Sequence, residues 1–476
     1  MLIGANVVIE KGGNLAKEEP SINMVLPKKA GYADRTPLIS VVIPTRDRPD
    51  TLKICLEALR LECCADIEFV IQDNASTPAT WQVVVEAAQR DDRIVYFRSE
   101  KRLSQRHNFE LGIANARGDY MSIIGDDDAF CRGALQWMCN MVRAHSPDAM
   151  RWPIAAYIWP SLCEQGVGMF SFNYEGIFGG WTKRPRQYTA DKIVQASANS
   201  WDNIMVYHGL ISRRIYEAVK KRSNGTFFSY HLPDVYAHNV LAFVKDETLS
   251  DYYIDVRHPM TVYGMSGHSS GASWTKGSSN DDSKTSPGKR WEAEILTDPL
   301  SHVPWQKPMR TMHYHDYVAL SIGRELGLLG DVRINEEAWI QSIIAEVAAN
   351  PWQIRGFMDA TKIYPFDDRI LDRVLSAHNE MTKAPIAAPS AMYTLYEPWH
   401  LYQQTCVKAV LPDANDDVAG AVEVLHHLLG SPVSLMREGP ITKLSAKWKL
   451  YQFKRSLKSI YEVHKQNQPS KEAVSI

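Results

Sequence analysis

Between residues 38 and 124 the chain repeats one unit, a short β-branched strand pattern followed by a helix pattern, and this repeat confines the fold more than any other feature. The first run, Leu38-Ile39-Ser40-Val41-Val42-Ile43, is apolar enough for burial on both faces and is ended by Pro44. Leu52, Cys55, Leu56 and Leu59 then fall on one face of a helix. The cycle recurs with a strand over 67–71, a helix carrying Trp81, Val84, Val85 and Ala88, and a strand over 94–97. It recurs again with Ser104 capping a helix striped by Phe109, Gly112, Ile113 and Ala116, then a strand over 119–124. Strands alternating with such helices predict an α/β domain whose mostly parallel central sheet is covered on both faces. Ligands of these sheets bind beyond the carboxyl ends of the strands. The polar residues there are Thr45, Arg46 and Asp47 after the first strand, Asp73 and Asn74 after the second, and Asp126-Asp127-Asp128 after the fourth.

A chain of 476 residues is long for one core, so two or three units are expected. Residues 1–36, broken by Gly12-Gly13, Pro20 and Pro27, read as an N-terminal extension without its own core. Residues 37–285 read as the α/β domain, in two halves over about 37–130 and 131–265, with a Ser-, Gly- and Asp-rich mobile loop over 266–289. Residues 290–476 read as a mainly α-helical C-terminal region, with helices near 312–329, 335–349, 391–409, 416–429 and 440–465. A formal net charge of -2 carries no footprint of nucleic-acid binding. Seven cysteines without the spacing of a zinc site or a disulfide framework point to reduced thiols. Neither a secretory leader nor an apolar run of about 18 residues is visible, so a cytoplasmic location is expected.

Three consecutive carboxylates repel one another unless they are solvated or neutralised, so Asp126-Asp127-Asp128 directly after a buried strand calls for a cation. On an extended backbone Asp126 and Asp128 share one side and offer hard oxygen ligands to a divalent metal, manganese or magnesium, able to grip diphosphate oxygens. A solvated acidic turn is the ordinary alternative for such a triplet.

Val42-Ile43-Pro44-Thr45-Arg46-Asp47-Arg48, Gln72-Asp73-Asn74-Ala75-Ser76-Thr77, Ala116-Arg117-Gly118-Asp119-Tyr120 and Gly125-Asp126-Asp127-Asp128 resemble, in order, the motifs of family 2 glycosyltransferases with the GT-A fold. The resemblance is strong over 38–130, fainter to 271, and does not reach the C-terminal third. It implies a Rossmann-like nucleotide-sugar-binding half followed by an acceptor half. It also implies that Pro44, Thr45 and Asp47 line the nucleotide pocket, although Asp47 departs from the usual asparagine. Asp73 would accept a hydrogen bond from the base, which is uracil in most members. Asp126 would reach the ribose or the metal, Asp127 would lie beside the donor, and Asp128 would be the principal metal ligand. Arg106 and Asn108 would form a polar pair near the donor. Pro233-Asp234-Val235-Tyr236 resembles the second acidic motif and makes Asp234 the base of an inverting transfer, with Asp202 as an understudy. Gly264-Met265-Ser266-Gly267-His268-Ser269-Ser270-Gly271 resembles a late glycine-serine segment that brings His268 to the metal or the diphosphate.

Structural roles compete with each assignment: a turn aspartate for Asp73, a helix N-cap for Asp234, an exposed helix face for Arg106 and Asn108, and a solvated loop residue for His268. The activity implied is metal-dependent transfer of a sugar from a nucleoside-diphosphate sugar, a UDP-sugar favoured, to a hydroxyl of a saccharide, lipid-linked or other acceptor. Polysaccharide or glycoconjugate synthesis would use it.

Three other readings stand beside this one. Gly267-His268-Ser269-Ser270-Gly271 matches the serine-hydrolase elbow, but a polar loop follows where a helix is required. A nucleotidyltransferase would carry a glycine-rich loop after its first strand, whereas Pro44-Thr45-Arg46-Asp47-Arg48-Pro49 has no glycine. A catalytically silent nucleotide-binding scaffold is the third. Residues 443–465 hold six Lys and Arg455 against Glu462, with Leu450, Phe453, Leu457, Ile460 and His464 at helical spacing. Such a helix either lies peripherally on an anionic membrane face or docks on the protein. The C-terminal helices also offer surfaces for homo-oligomerisation.

Overall fold

A computed structural model describes residues 22–24, 36–162, 168–173, 180–198, 203–267, 312–349, 400–402, 406–410 and 417–429, with 293–295, 297, 298, 300, 372, 373, 376, 451, 453 and 455. Strands β2 (Ile39–Thr45) and β3 (Ile67–Asp73) are buried along their whole length. This is the environment that the unbroken β-branched runs require. β2 pairs in parallel with β3 on one side and with β5 (Tyr120–Ile123) on the other, and β3 pairs in parallel with β4 (Ile94–Ser99). Side chains alternate strictly: Ile39, Val41 and Ile43 enter one core cluster and Val42 the opposite one.

Helices α1 (Pro49–Arg60), α2 (Pro78–Ala88) and α4 (Ala134–His145) cover the first face, and α3 (Gln105–Asn115) covers the second. Ser104 caps α3 as its sequence position predicts, accepting the His107 N–H at 3.1 Å.

The sheet continues past β5 through β11 (Gly209–Ser212), β7 (Ala149–Arg151), β12 (Tyr252–Val256) and β10 (Trp181–Pro185), and its other edge is β1 (Ile22–Met24). β4, β3, β2, β5, β7 and β12 run one way, while β1, β10 and β11 run the other. The N-terminal extension thus gives the sheet an edge strand, β1, that the broken sequence pattern did not announce.

A second sheet holds β6 (Ala129–Phe130), β8 (Ile154–Ile158), β9 (Met169–Asn173), β13 (Thr261–Met265), β14 (His400–Tyr402) and β15 (Cys406–Val410). β14 and β15 correct the helix expected over 391–409. Cys406–Val410 pairs antiparallel with Met169–Asn173, so backbone pairing offered by the edge of β9 overrides local helical spacing.

The second face of the large sheet also packs α5 (Arg186–Val194), α6 (Arg213–Arg222), α7 (Pro233–Val240), α8 (Met312–Glu325) and α9 (Glu336–Ala349). α10 (Val418–Leu429) joins the first cluster. These last three helices lie close to where periodicity puts them. Phe453, on the apolar stripe of the basic C-terminal segment, packs on Phe172 with ring centroids 6.1 Å apart, so at this residue the stripe faces the protein. Of 443–465, only 451, 453 and 455 are among the described residues.

The turn before β5 has a polar core of its own. Buried Glu68 of β3 accepts from Ser40 Oγ at 2.6 Å and from the Arg117 N–H at 2.8 Å, while the Gly118 N–H reaches Ser40 Oγ at 2.7 Å. A Cβ on Gly118 would meet the Ser40 nitrogen at 2.6 Å, which accounts for the glycine. Removing the carboxylate strands a buried hydroxyl and an N–H. Glu68→Ala should therefore lose about 2 kcal/mol, read as a lower urea midpoint with an unchanged slope.

Candidate active site

β5 ends at Ile123 in the large sheet and β6 begins at Ala129 in the small one, so the acidic triplet is the bridge between the two. The triplet is a turn rather than the extended segment that alternation assumed. The Asp128 N–H donates to the Gly125 carbonyl at 3.3 Å, and the Asp128 carboxylate folds back to accept the Gly125 N–H at 2.5 Å. All three aspartates are buried.

Asp128 is gripped from both sheets. Its Oδ2 also accepts from Tyr207 Oη at 3.0 Å and lies 3.0 Å from His208 Nε2, while Oδ1 accepts the Gly264 N–H of β13 at 2.6 Å. Trp152 Nε1 donates to Thr261 Oγ1 at 3.0 Å, and that hydroxyl lies 2.9 Å from His208 Nδ1. His208 Nε2 approaches Asp128 without a hydrogen bond to it. His208 holds φ at 53°, a left-handed conformation kept by the Ile123 pairing on either side of Tyr207. A Cβ on Gly264 would meet the Asp127 carbonyl oxygen at 1.7 Å, so only glycine brings this strand's N–H to Asp128.

Asp126 accepts from Thr45 Oγ1 at 2.6 Å and from Arg48 Nε at 3.1 Å, with a second Arg48 nitrogen on its other oxygen. Arg48 Nη1 also reaches Asp127 at 3.0 Å. Burial works against charge on Arg48, but Asp126 and Asp127 outweigh it and hold the guanidinium above its ordinary pKa. Burial pushes Asp126 up to about 7, with Arg48 opposing. Among the described residues no cluster of three or more His, Cys, Asp or Glu forms a ready cage for a metal. The donor set still suits a hard divalent cation: three carboxylates stand in one turn, two of them share the single guanidinium of Arg48, and all offer hard oxygens.

Asp234 occupies the first turn of α7, after Pro233, and Leu232 rather than Asp234 is the N-cap. Burial raises its pKa above the usual aspartate range, with His238 opposing. The Tyr207 phenol is pushed up by burial first, then by Asp128, and Asp234 contributes as well. The same hydroxyl is the one that donates to Asp128.

The other expected residues fall around this centre in different states. Pro44 and Thr45 end β2, with Thr45 buried against Asp126. Asp47, at φ 53°, accepts the Thr77 N–H at 2.9 Å and pairs with Arg102 at 2.6 Å. Asp73 is fully buried, accepting the Ser76 N–H at 2.9 Å on one oxygen and the Tyr96 hydroxyl on the other, which is the turn-aspartate arrangement. Arg106 is buried rather than on an exposed helix face, and forks onto Asp298 at 2.7 and 2.9 Å. Asn108, also buried, donates to the Gln72 carbonyl at 3.3 Å. His268 and Asp202 lie outside the described residues, as does the Ser269 of the hydrolase-like pattern.

Arg48, Tyr207, His208 and Gly264 went unassigned or under-read in the sequence. Arg48 carried a usable signal, a cation three residues past Thr45 at the strand end that faces the triplet. Tyr207 and His208 carried none, because their place depends on the long-range pairing of 206–208 with β5.

The profile described as Glycosyl transferase family 2 matches residues 40–154. The chain is 30% identical over 95 residues to the GalNAc(5)-diNAcBac-PP-undecaprenol beta-1,3-glucosyltransferase of Campylobacter jejuni, covering 20% of this chain and 31% of that protein. It is 36% identical over 96 residues to Abequosyltransferase RfbV of Salmonella typhimurium, covering 20% of this chain and 29% of that one. The chain thus spans less than a third of the length of these curated relatives. Among solved structures, S. aureus TarS 1-349 in complex with UDP aligns with a TM-score of 0.37 at 13% identity, over 72% of this chain and 88% of that one.

The Gly264 contact carries a direct test. Gly264→Ala should cost about 1–3 kcal/mol through overpacking against Asp127. It should also release the Asp128 carboxylate, so a thermal midpoint equal to the parent's would refute the close approach.

Proposed function

On the premise that residues 40–154 are a glycosyl transferase family 2 domain, we propose that the chain transfers a sugar from a nucleoside-diphosphate sugar to a hydroxyl of a glycoconjugate acceptor, with inversion at the sugar carbon. The observation that carries the reading is the acidic turn at the end of β5, clamped between two sheets by the hydrogen bonds of Asp128.

Asp126 and Asp128 are the residues that would hold a divalent ion, manganese or magnesium, which when bound supplies positive charge to the departing diphosphate. Charge excess and hard oxygens support this assignment. Thr45 and Arg48 fix the Asp126 carboxylate, and Arg48 adds a permanent positive charge at the same rim. The Tyr207 hydroxyl and the Gly125 and Gly264 N–H groups hold Asp128 against rotation.

Asp234 takes the proton of the acceptor hydroxyl as the new bond to the sugar carbon forms and the bond to the diphosphate oxygen breaks. A carboxylate with a raised pKa is the better base for that hydroxyl. Pro44, Thr45 and Asp47 line the donor pocket in this reading. A uridine base is the expectation from the family resemblance, and base contact at Asp73 requires it to share oxygens that now serve Ser76 and Tyr96. The diphosphate-linked lipid saccharide in the name of the Campylobacter relative is the acceptor class to test first.

Asp234→Asn should lower kcat about 100- to 10,000-fold with little change in donor affinity. Protonation silences a base, so the parent's rate should fall as pH drops through the raised pKa, above the ordinary aspartate range. Wild-type rate in the Asn variant would exclude Asp234 as the base. Chelation should stop release of nucleoside diphosphate and added manganese should restore it. Full transfer in chelator would remove the metal from the proposal.

A further inference from the structure

At the far end of the large sheet, β7, β10 and β12 meet under α5 around an open pocket with about 410 Å³ of empty space, part of it continuous with solvent. Its walls include Arg151, Arg184, Lys192 and Arg257, and the carboxylate among the described residues lining it is Asp255. Four cations against one anion leave a formal excess of three positive charges. Asp255 is buried at the centre, taking Arg151 Nε at 2.7 Å on one oxygen, Arg184 Nε at 2.8 Å on the other, and Arg257 Nη2 at 3.2 Å. Tying three strands together needs no third arginine and no lysine. Both carboxylate oxygens are already taken by Arg151 and Arg184, so Arg257 and Lys192 add charge that Asp255 cannot neutralise. Tyr188 stands beside them, with the Arg184 guanidinium 4.5 Å and the Lys192 ammonium 4.7 Å from its ring centroid, which holds both heads at the rim.

The pocket is also connected to the acidic turn. Arg151 ends β7 opposite Gly209, and Gly209 follows the His208 that contacts Asp128. The α5 wall belongs to the same hydrophobic cluster as α7, which carries Asp234.

We propose that this pocket binds a phosphate-type oxyanion, a phosphomonoester or diphosphate group, apart from the donor's own diphosphate. The Arg257 guanidinium and the Lys192 ammonium supply charged donors for phosphate oxygens, and the excess charge suits a dianion. Binding by itself does not depend on the transferase reading. The role does rest on it: an anion held here, on the side of the sheet that follows the acidic turn, anchors a phosphorylated acceptor.

Calorimetric titration of the full chain with inorganic phosphate and with pyrophosphate, without metal or nucleotide sugar, tests the site. Arg257→Gln combined with Lys192→Gln changes two rim residues, Arg257 having a side chain 37% exposed. The double variant should bind phosphate at least about tenfold more weakly than the parent at an unchanged thermal midpoint. Arg257→Gln alone should give a smaller loss in the same direction. Equal affinity in parent and variants overturns the proposal, and so does weakening that appears only together with a lowered midpoint. Sedimentation with vesicles of anionic phospholipid distinguishes the source: co-sedimentation that the double variant loses assigns a lipid headgroup, and its absence alongside phosphate binding assigns a soluble or acceptor-borne phosphate. Metal-dependent release of nucleoside diphosphate, measured on the same double variant, reports on the transferase reading independently.

Discussion

Asp128 accepts backbone hydrogens from two sheets at once, and the rest of the site is arranged by that fact. Its Oδ2 closes the turn at the end of β5 through Gly125, and its Oδ1 takes the N–H of Gly264 from β13. A buried carboxylate costs several kcal/mol in lost solvation unless such donors replace water. The two backbone amides and the Tyr207 hydroxyl do so, and in return the carboxylate fixes how the small sheet meets the large one. The neighbouring Asp126 and Asp127 are then held at the mouth of the turn with Arg48 between them. Stability of the junction and geometry of the site are one set of contacts, so neither varies without the other.

The half of the fold that could be read from sequence is the half whose signals are local. β2 and β3 are buried along their length, and only unbroken apolar runs such as Val41-Val42-Ile43 satisfy that. α1 and α3 show their buried faces through Leu52, Cys55, Leu56 and Leu59, and through Phe109, Gly112 and Ile113. The second sheet was not legible for the opposite reason. β6 is two residues long, and its partner β13 lies more than a hundred positions away. β15 joins β9 across a greater separation still. Period and propensity say nothing about pairings whose information is in another part of the chain. The candidate site divides along the same line: the triplet and Thr45 stood out as strand-end residues, while Tyr207 and His208 became visible only through pairing with β5.

Arg106 shows how residue type alone leaves a role open. A basic residue early in α3, near a strand end, looks like a ligand for a donor anion. In the fold it is buried with both fork nitrogens on Asp298, from beyond the glycine-serine segment, and Ser104 holds the same carboxylate. Burial raises the cost of a charge on Asp298, yet the Arg106 hydrogen bonds and charge outweigh it and keep the group below its ordinary range. An ion pair this buried stabilises less than its geometry indicates, but breaking it is expensive, so it specifies where the returning segment docks. Arg46 and Glu294 make a second tie between the same parts. The polar residues of the α3 N-terminus thus serve the architecture of the pocket wall.

Charge along the carboxyl edge of the large sheet is not uniform, and its pattern follows from which strands end there. β5 delivers three aspartates and β2 the arginine that faces two of them; β7 and β12, running the same way, deliver Arg151, Asp255 and Arg257. Between them runs β11 in the opposite direction, and its leading residues, Tyr207 and His208, take up the acid on one side while Gly209 pairs with the base-bearing strand on the other. An antiparallel strand inserted into an otherwise parallel edge therefore separates an acidic region from a basic one by two strand spacings, about 10 Å. Opposite fields that close would cancel through direct pairing if the side chains met. They do not: Asp128 accepts from Gly125, Tyr207 and Gly264, and Asp255 from its own arginines. Separate partners for each central carboxylate are what keep the acidic and the basic group apart on one edge.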